Sequence, residues 1–161
     1  MKLNNLKIEI KWAAIFVIAT LLWLTLEKVL GFHDEKIAQH PIITNFFMIP
    51  AILVYLLALL DKSKNFYEGV MSYKEGFISG LIISIIVALC IPITQSIISY
   101  VITPDYYANA IAYSVESGGA TQEEAEAYFN IKSYIIQGML FTPIIGTVTT
   151  AILMIFVKKS K

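Results

Sequence analysis

The chain has almost none of the residues from which disulfides, metal centres and catalytic sites are usually built. It contains one cysteine and two histidines in 161 residues. Cys90 lies inside an apolar run, which excludes a disulfide framework and favours a role as a small packing residue. The sequence has no Ser/His/Asp set at a shared depth, no glycine-rich phosphate loop and no Cys/His cluster. We therefore predict that the protein is not an enzyme and has no cofactor.

Charged residues are also scarce, and no soluble basic face is present that could bind nucleic acid. Charged residues make up 15% of the chain and hydrophobic residues 57%, with a mean hydropathy of +0.70. Four apolar runs account for this composition, each close to the roughly 20 residues that a membrane-spanning helix needs. They are residues 12–32, 41–60, 76–101 and 134–157. The sequence predicts an all-α integral membrane four-helix bundle, with residues 1–161 forming a single membrane domain in a lipid bilayer.

The basic residues are all lysines, and their distribution along the chain is uneven. Nine of the twelve lie in the N-terminal segment, the loop between spans 2 and 3, and the C-terminal segment. Those three segments share one side of the membrane if there are four spans. The other side has three lysines against eight acidic residues. By the positive-inside rule, we expect both termini in the cytoplasm.

Small residues recur at every fourth position in spans 3 and 4. In lipid, small side chains let two helix backbones approach closely, so matched stripes indicate a packing seam. The main members are Gly76, Gly80 and Ser84 in span 3, and Gly138, Thr142 and Gly146 in span 4. We expect this seam to serve helix packing alone.

The segment between spans 3 and 4 is the longest polar stretch. Residues 103–105 have the types typical of a helix start, and residues 117–119 those of a helix end. We expect a short amphipathic helix at residues 104–116 that lies on the outer leaflet, because its apolar residues share one face.

A second helix start follows at Thr121, which forms a capping box with Glu124. No residue that breaks helices occurs between this box and Pro143. The sequence therefore predicts one continuous helix that begins at Thr121, projects beyond the bilayer and becomes span 4.

Polar side chains lie at a similar depth in all four spans. At about 1.5 Å per residue, they are about 9–14 Å from the midplane. They are Glu27, Asn45, Gln95 and Gln137, with hydroxyls added by Thr44, Thr94 and Tyr134. An ionisable residue at membrane depth is by default a functional-site hypothesis. Two interpretations stay open: these groups hydrogen-bond across helices and hold the bundle, or they line an outward-facing cavity.

The loop between spans 1 and 2 contains residue types that bind metals, namely His33, Asp34, Glu35 and His40. Their spacing matches no known metal-binding pattern, and polar residues are ordinary at a headgroup boundary. We therefore expect no metal site.

Long strings in the chain resemble one known family. They are HPIITNFFMIPAI, MSYKEGFISG and TPDYYANAIAYSVESGGATQEEAEAYFNIKSYIIQG. From about Lys11 to the C-terminal lysines, the chain is similar to the bacterial membrane family called domain of unknown function 4199. This resemblance implies a four-span bacterial membrane protein, and we expect it in the cytoplasmic (inner) membrane. It implies no activity, cofactor or catalytic residue.

Two functions from different classes fit these features. The first is a non-enzymatic accessory or scaffold subunit of a bacterial envelope system, with a membrane-protein partner or a second copy of itself. The second is a small transport or ligand-binding protein whose outward-facing cavity holds the polar layer. A pocket at the level of that layer would favour the second function.

Overall fold

The structure, a computed structural model, describes residues 6–159 of the protein. Four of its helical segments are long and apolar enough to cross a membrane. They are Lys7–Val29, Ile37–Asn65, Tyr73–Ile102 and Ile131–Val157, called spans 1 to 4 here. The predicted all-α, multi-pass membrane bundle is confirmed. Lys2 and Lys161, which were counted in the charge argument, lie outside the described residues.

The spans and the segments between them contain seven α-helices, numbered in chain order. They are α1 Lys7–Val29, α2 His40–Ile43, α3 Met48–Phe66, α4 Tyr73–Ile97, α5 Tyr106–Glu116, α6 Gln122–Tyr128 and α7 Ile131–Val157. The end of the bundle at which α1 begins and α7 ends is called the terminal end. The opposite end, which carries α5 and α6, is called the α5 end.

Span 2 departs from α-helical geometry one turn before Pro50. Proline has no backbone N–H, so the carbonyl of Phe46 cannot accept the usual helical hydrogen bond from that position. The chain forms a tighter 3-10 turn at Thr44–Phe47 before α3 begins. This irregular turn sets the direction of the residues at the α5 end of span 2.

Spans 3 and 4 are in close contact along the small-residue stripes. A Cβ atom added to Gly80 would overlap the side chain of Thr150, and one added to Gly146 would overlap Ser84 and Tyr55. Gly76 lies in the same way against Met154, and a Cβ on Gly138 would lie 3.0 Å from Ile91. The structure thus places these four glycines where neighbouring side chains use the space that their missing Cβ would occupy.

The segment expected to be one helix from Thr121 into span 4 is divided at Phe129 and Asn130, so that prediction was wrong. The capping box at Thr121 is present, but it begins the short helix α6. The side-chain amide of Asn130 donates 2.9 Å hydrogen bonds to the carbonyls of Glu126 and Ala127. Its oxygen accepts from the backbone N–H of Ser133 at 2.8 Å. One asparagine therefore closes α6 and begins α7.

The amphipathic helix expected at residues 104–116 is present as α5 and begins two residues later, at Tyr106. Thr103 does not cap it. A π-helical turn at Ile98–Ile102 extends span 3, and the backbone N–H of Thr103 donates to the Ile98 carbonyl at 2.9 Å. Gly118 follows α5 with a positive φ of 71°, which glycine adopts without the steric cost of a Cβ.

Two groups of buried side chains form the interior. The central group contains Ala13, Tyr55 and Ile83 from spans 1 to 3. The second group, at the terminal end, contains Met71, which is fully buried against Leu59 and Met154. The loop between spans 2 and 3 therefore closes that end of the bundle with an apolar side chain.

Candidate functional site

A cluster of one carboxylate and two imidazoles is buried at the α5 end. Glu27 lies in the last turn of α1, His33 in the loop after it, and His40 at the first residue of α2. The loop turns back at Gly31, whose φ is +83°, and the backbone N–H of Phe32 donates to the Glu27 carbonyl at 2.9 Å. Glu27 and His33 are each only 1% exposed as a result.

The two imidazoles contact the same carboxylate oxygen. The Nε2 atom of His33 lies 3.1 Å from Oε2 of Glu27, and Nε2 of His40 lies 3.4 Å from it. The other oxygen, Oε1, accepts a hydrogen bond from the indole N–H of Trp23, one turn earlier in α1. The buried charge of Glu27 is thus surrounded by nitrogen atoms on both of its oxygens, which offsets the cost of removing it from water.

Helix α5 covers this cluster with Tyr106. The Tyr106 hydroxyl lies 3.3 Å from Nδ1 of His40 and 3.2 Å from the hydroxyl of Tyr134 in span 4. Burial raises the pKa of Tyr106 above its ordinary value, so this hydroxyl keeps its proton at neutral pH. The side-chain amide of Asn109 donates to the His33 carbonyl at 2.9 Å and fastens α5 to the loop.

Below the cluster, a cavity of about 470 Å³ lies between the four spans. Its apolar lining includes Phe16, Val87 and Ile91, and Tyr55 and Gly146 lie towards the middle of the bundle. Its polar lining near the α5 end consists of Thr44, Asn45, Thr94, Gln95 and Tyr134. The cavity therefore has a hydrogen-bonding end and a mainly apolar remainder, in which Thr20, Thr142 and Thr149 are the polar exceptions beside Tyr55.

The polar layer predicted from the sequence does not form one site: three of its four main residues are divided between the cavity and the histidine cluster, and Gln137 belongs to neither. Asn45 and Gln95 are among the residues that line the cavity, whereas Glu27 belongs to the histidine cluster. Gln137 donates to Ser133 within its own helix at 2.8 Å. Tyr134 connects the two sites, because it lines the cavity and its hydroxyl contacts Tyr106, which contacts His40.

One protein-family model matches nearly the whole chain. The family model described as Protein of unknown function (DUF4199) covers residues 11–159. The chain belongs to this family. The resemblance noted in the sequence is thereby confirmed, and the match includes the cluster and the cavity. No curated protein and no solved structure matched the chain. Because the family description names no activity, the function of this family member has to be argued from its own residues.

The histidine cluster was not found by sequence reasoning, which treated the loop histidines as polar residues at a headgroup boundary. His33 is buried, and the structure separates it from the two acids next to it. Asp34 pairs with Lys28 at 2.6 Å, and this hydrogen bond holds the pKa of Asp34 below its ordinary value. Glu35 is exposed. The only signal in the sequence was the presence of both histidines soon after Glu27, in the loop and at the start of span 2, and this proximity along the chain does not specify contact.

A second buried carboxylate lies at the terminal end and was also missed. Glu9 pairs with Lys62 at 2.9 Å and accepts a 2.7 Å hydrogen bond from the Ser79 hydroxyl. Glu9 is 1% exposed and Lys62 is 4% exposed. Lys62 was counted as a loop lysine, but α3 continues to Phe66 and carries it inside the bundle. This pair joins spans 1, 2 and 3 at the end opposite to the histidine cluster.

Proposed function

We propose that the protein binds a small, uncharged amphipathic molecule in the cavity between its four spans. The observation that carries this proposal is the cavity itself, at about 470 Å³. Pockets for small ligands typically measure about 300–1,000 Å³ and combine an apolar lining with a few convergent polar groups. This cavity has both properties.

The lining supports a ligand with a neutral, hydrogen-bonding head and an apolar body. Among the described residues that line the cavity, none is Asp, Glu, Lys or His. Amide and hydroxyl groups at the polar end suit an alcohol, ester or amide, and a charged head would lack an opposite charge there. The apolar lining deeper in the bundle suits a hydrocarbon chain.

The expected orientation of the protein determines in which leaflet of the membrane this binding site lies. The lysine distribution supports an orientation with the terminal end on the cytoplasmic side of a bacterial inner membrane. The cavity then lies in the outer half of the bilayer, where a molecule could enter from the outer leaflet. This location is suited to ligand binding or transport.

Native mass spectrometry of the purified protein with a monoacylglycerol as the probe tests the proposal. We expect one bound molecule per chain in the wild type. Thr142 belongs to the small-residue stripe and also lines the cavity, so Thr142→Phe places a ring there. In variant protein whose unfolding temperature matches that of the wild type, binding should weaken by roughly tenfold or more, which corresponds to about 1.4 kcal/mol. Ile144→Phe is the matched control in the same helix, because Ile144 is 57% exposed on the outside of the bundle.

Two results would contradict the proposal. One is equal binding to the wild type and Thr142→Phe, which would place the probe elsewhere on the protein. The other is tighter binding of the corresponding ionised fatty acid than of the monoacylglycerol, because the described cavity lining has no cationic residue to receive a carboxylate.

The accessory or scaffold role expected from the sequence stays a prediction. It is compatible with a ligand cavity, since a scaffold subunit can also hold a lipid. Affinity purification in mild detergent should return the same membrane-protein partner repeatedly if the role is correct. Repeated recovery of the protein alone would contradict it.

A further inference from the structure

We infer that Glu27, His33 and His40 form a binding site for a divalent transition-metal ion, with Zn²⁺ as the best match. The three side chains come from span 1, the following loop and the start of span 2. The site lies outside the cavity, and the inference does not depend on the ligand proposed for it.

The distances between the donor atoms agree with a shared ion. Zn²⁺ binds nitrogen and oxygen ligands at about 2.0–2.1 Å in tetrahedral geometry, so two such ligands are about 3.3 Å apart. In the structure, Oε2 of Glu27 lies 3.1 Å from one imidazole nitrogen and 3.4 Å from the other. All three ligand atoms lie within 4.8 Å of one another. The two imidazole nitrogens would therefore need to approach each other by at most about 1.5 Å.

The donor types select the class of ion. Imidazole nitrogens suit zinc, copper, nickel and iron, whereas calcium and magnesium prefer sites made of oxygen ligands. Two histidines and one glutamate form a recurring zinc ligand set that leaves a fourth coordination position for water or another ligand. Both Glu27 and His33 are fully buried, unlike the acids of an ordinary exposed cluster.

Neighbouring groups already hold two of the three ligands in position. Trp23 donates to the carboxylate oxygen of Glu27 that does not face the histidines. The Tyr106 hydroxyl contacts Nδ1 of His40, which fixes the ring with Nε2 directed at Glu27. Such contacts orient metal ligands and typically change metal affinity by about 10–100-fold when they are removed. The third ligand, His33, has Nε2 directed at Glu27, and its Nδ1 is buried without a hydrogen-bond partner among the described residues, so His33 lacks the outer contact that His40 has.

The competing explanation is that a proton, and not a metal, is held between the imidazoles and the carboxylate. A protonated histidine beside Glu27 would also form a short contact with it. If the site holds a metal, an added ion should bind with a defined stoichiometry, and its binding should need all three residues. If the site holds only a proton, no such binding should occur.

The experiment uses the full chain, purified in mild detergent and stripped of metals with a chelator. Isothermal titration with ZnCl₂ should give one ion per chain, and the unfolding temperature should rise with Zn²⁺ and not with Mg²⁺. Titration with Co²⁺ as a spectroscopic substitute should give the intense visible absorption of a tetrahedral site. Absence of saturable binding to the wild type, or equal stabilisation by Mg²⁺, would overturn the inference.

Variants assign the ion to these residues. Glu27→Gln keeps the shape of the side chain and should weaken Zn²⁺ binding by about 100-fold, while Tyr106→Phe should weaken it by about 10-fold through His40. Glu35→Gln is the matched control, because Glu35 is an exposed acid in the same loop. If Glu27→Gln fails to fold, His40→Ala decides the question, since His40 is the most exposed of the three ligands. Zn²⁺ binding that survives in the ligand variants would place the ion elsewhere and overturn the assignment.

Discussion

Two carboxylates, Glu27 and Glu9, are buried in the described part of the bundle and have different partners. Glu27 contacts two histidines and a tryptophan, all of which can be neutral, whereas Glu9 contacts the ammonium group of Lys62. The first arrangement can exchange a proton or a metal ion. The second is a fixed ion pair, and Lys62 also lies over the ring of Phe66, with its Nζ atom 3.8 Å from the ring centroid. At the residue scale, this contrast separates a candidate binding site from a structural contact.

The Glu9–Lys62 pair gives a stability prediction. Glu9→Leu removes the carboxylate that pairs with the buried Lys62 ammonium and should lower the free energy of unfolding by about 3–5 kcal/mol. The double variant Glu9→Leu with Lys62→Leu should recover most of that loss, because it removes the buried ammonium together with the carboxylate. Reversible unfolding of the protein in detergent, followed by circular dichroism, measures both.

Lys11→Ala provides the control for this pair. Lys11 also contacts an acid, Asp61, but its side chain is 53% exposed. The loss of this exposed cation should change stability by less than about 1 kcal/mol. An equal loss in Lys11→Ala and Glu9→Leu would show that burial does not distinguish the two pairs.

At the scale of elements, the seam between spans 3 and 4 depends on the absence of side chains. The hydroxyl of Ser84 donates to the Gly80 carbonyl at 2.8 Å and also contacts the Tyr55 hydroxyl at 2.8 Å. In the facing helix, α7, the Thr150 hydroxyl donates to the Gly146 carbonyl at 2.7 Å. The small side chains therefore satisfy their own hydrogen bonds and still leave the helices close enough to pack.

Leucine at the centre of this seam should disrupt the bundle. Gly80→Leu and Gly146→Leu insert four carbon atoms where Thr150, Ser84 and Tyr55 already lie. We expect each to lower stability by about 3 kcal/mol or more, because overpacking alone typically costs about 1–3 kcal/mol and the helices must also separate. The yield of monodisperse protein in detergent, together with its unfolding temperature, measures the effect.

Ile85→Leu and Ile144→Leu are the controls for the seam, since these side chains are 44% and 57% exposed in the bundle and would face lipid. They should change stability by less than about 0.5 kcal/mol. If the glycine variants are tolerated as well as these controls, the small-residue stripes do not determine how spans 3 and 4 pack.

At the scale of the whole molecule, the four spans place the start of α1 and the end of α7 at one end of the bundle and α5 at the other. The same arrangement puts the histidine cluster and the polar end of the cavity at the α5 end, and the Glu9–Lys62 pair at the terminal end. The lysine distribution determines which end is expected to face the cytoplasm.

Reporter fusions test this orientation. A reporter fused after Lys161 should behave as cytoplasmic, and one inserted at Gly118, in the exposed turn after α5, should behave as external. Alkaline phosphatase and green fluorescent protein report the two sides independently. The reverse pattern would contradict the charge argument and would place the cavity in the inner leaflet.

The sequence by itself determined the four spans, because hydropathy and length are properties of consecutive residues and a bilayer imposes a minimum length on them. It also determined the capping box at Thr121 and the positions of the small-residue stripes, which depend on neighbours three or four residues apart. The sequence did not predict the break between α6 and α7, because an asparagine can lie inside a helix or, like Asn130, end one helix and begin the next.

Only the tertiary structure decided which polar groups meet. Depth in the membrane placed Glu27, Asn45, Gln95 and Gln137 in one layer, but a shared depth does not determine the direction in which each side chain points. The rotation of span 1 and the turn at Gly31 bring Glu27 into contact with His33 and His40. The 3-10 segment before Pro50 and the rotation of span 3 place Asn45 and Gln95 in the cavity lining. These contacts depend on helix rotation and loop geometry, which are set by the packing of all four spans together and not by any local run of residues.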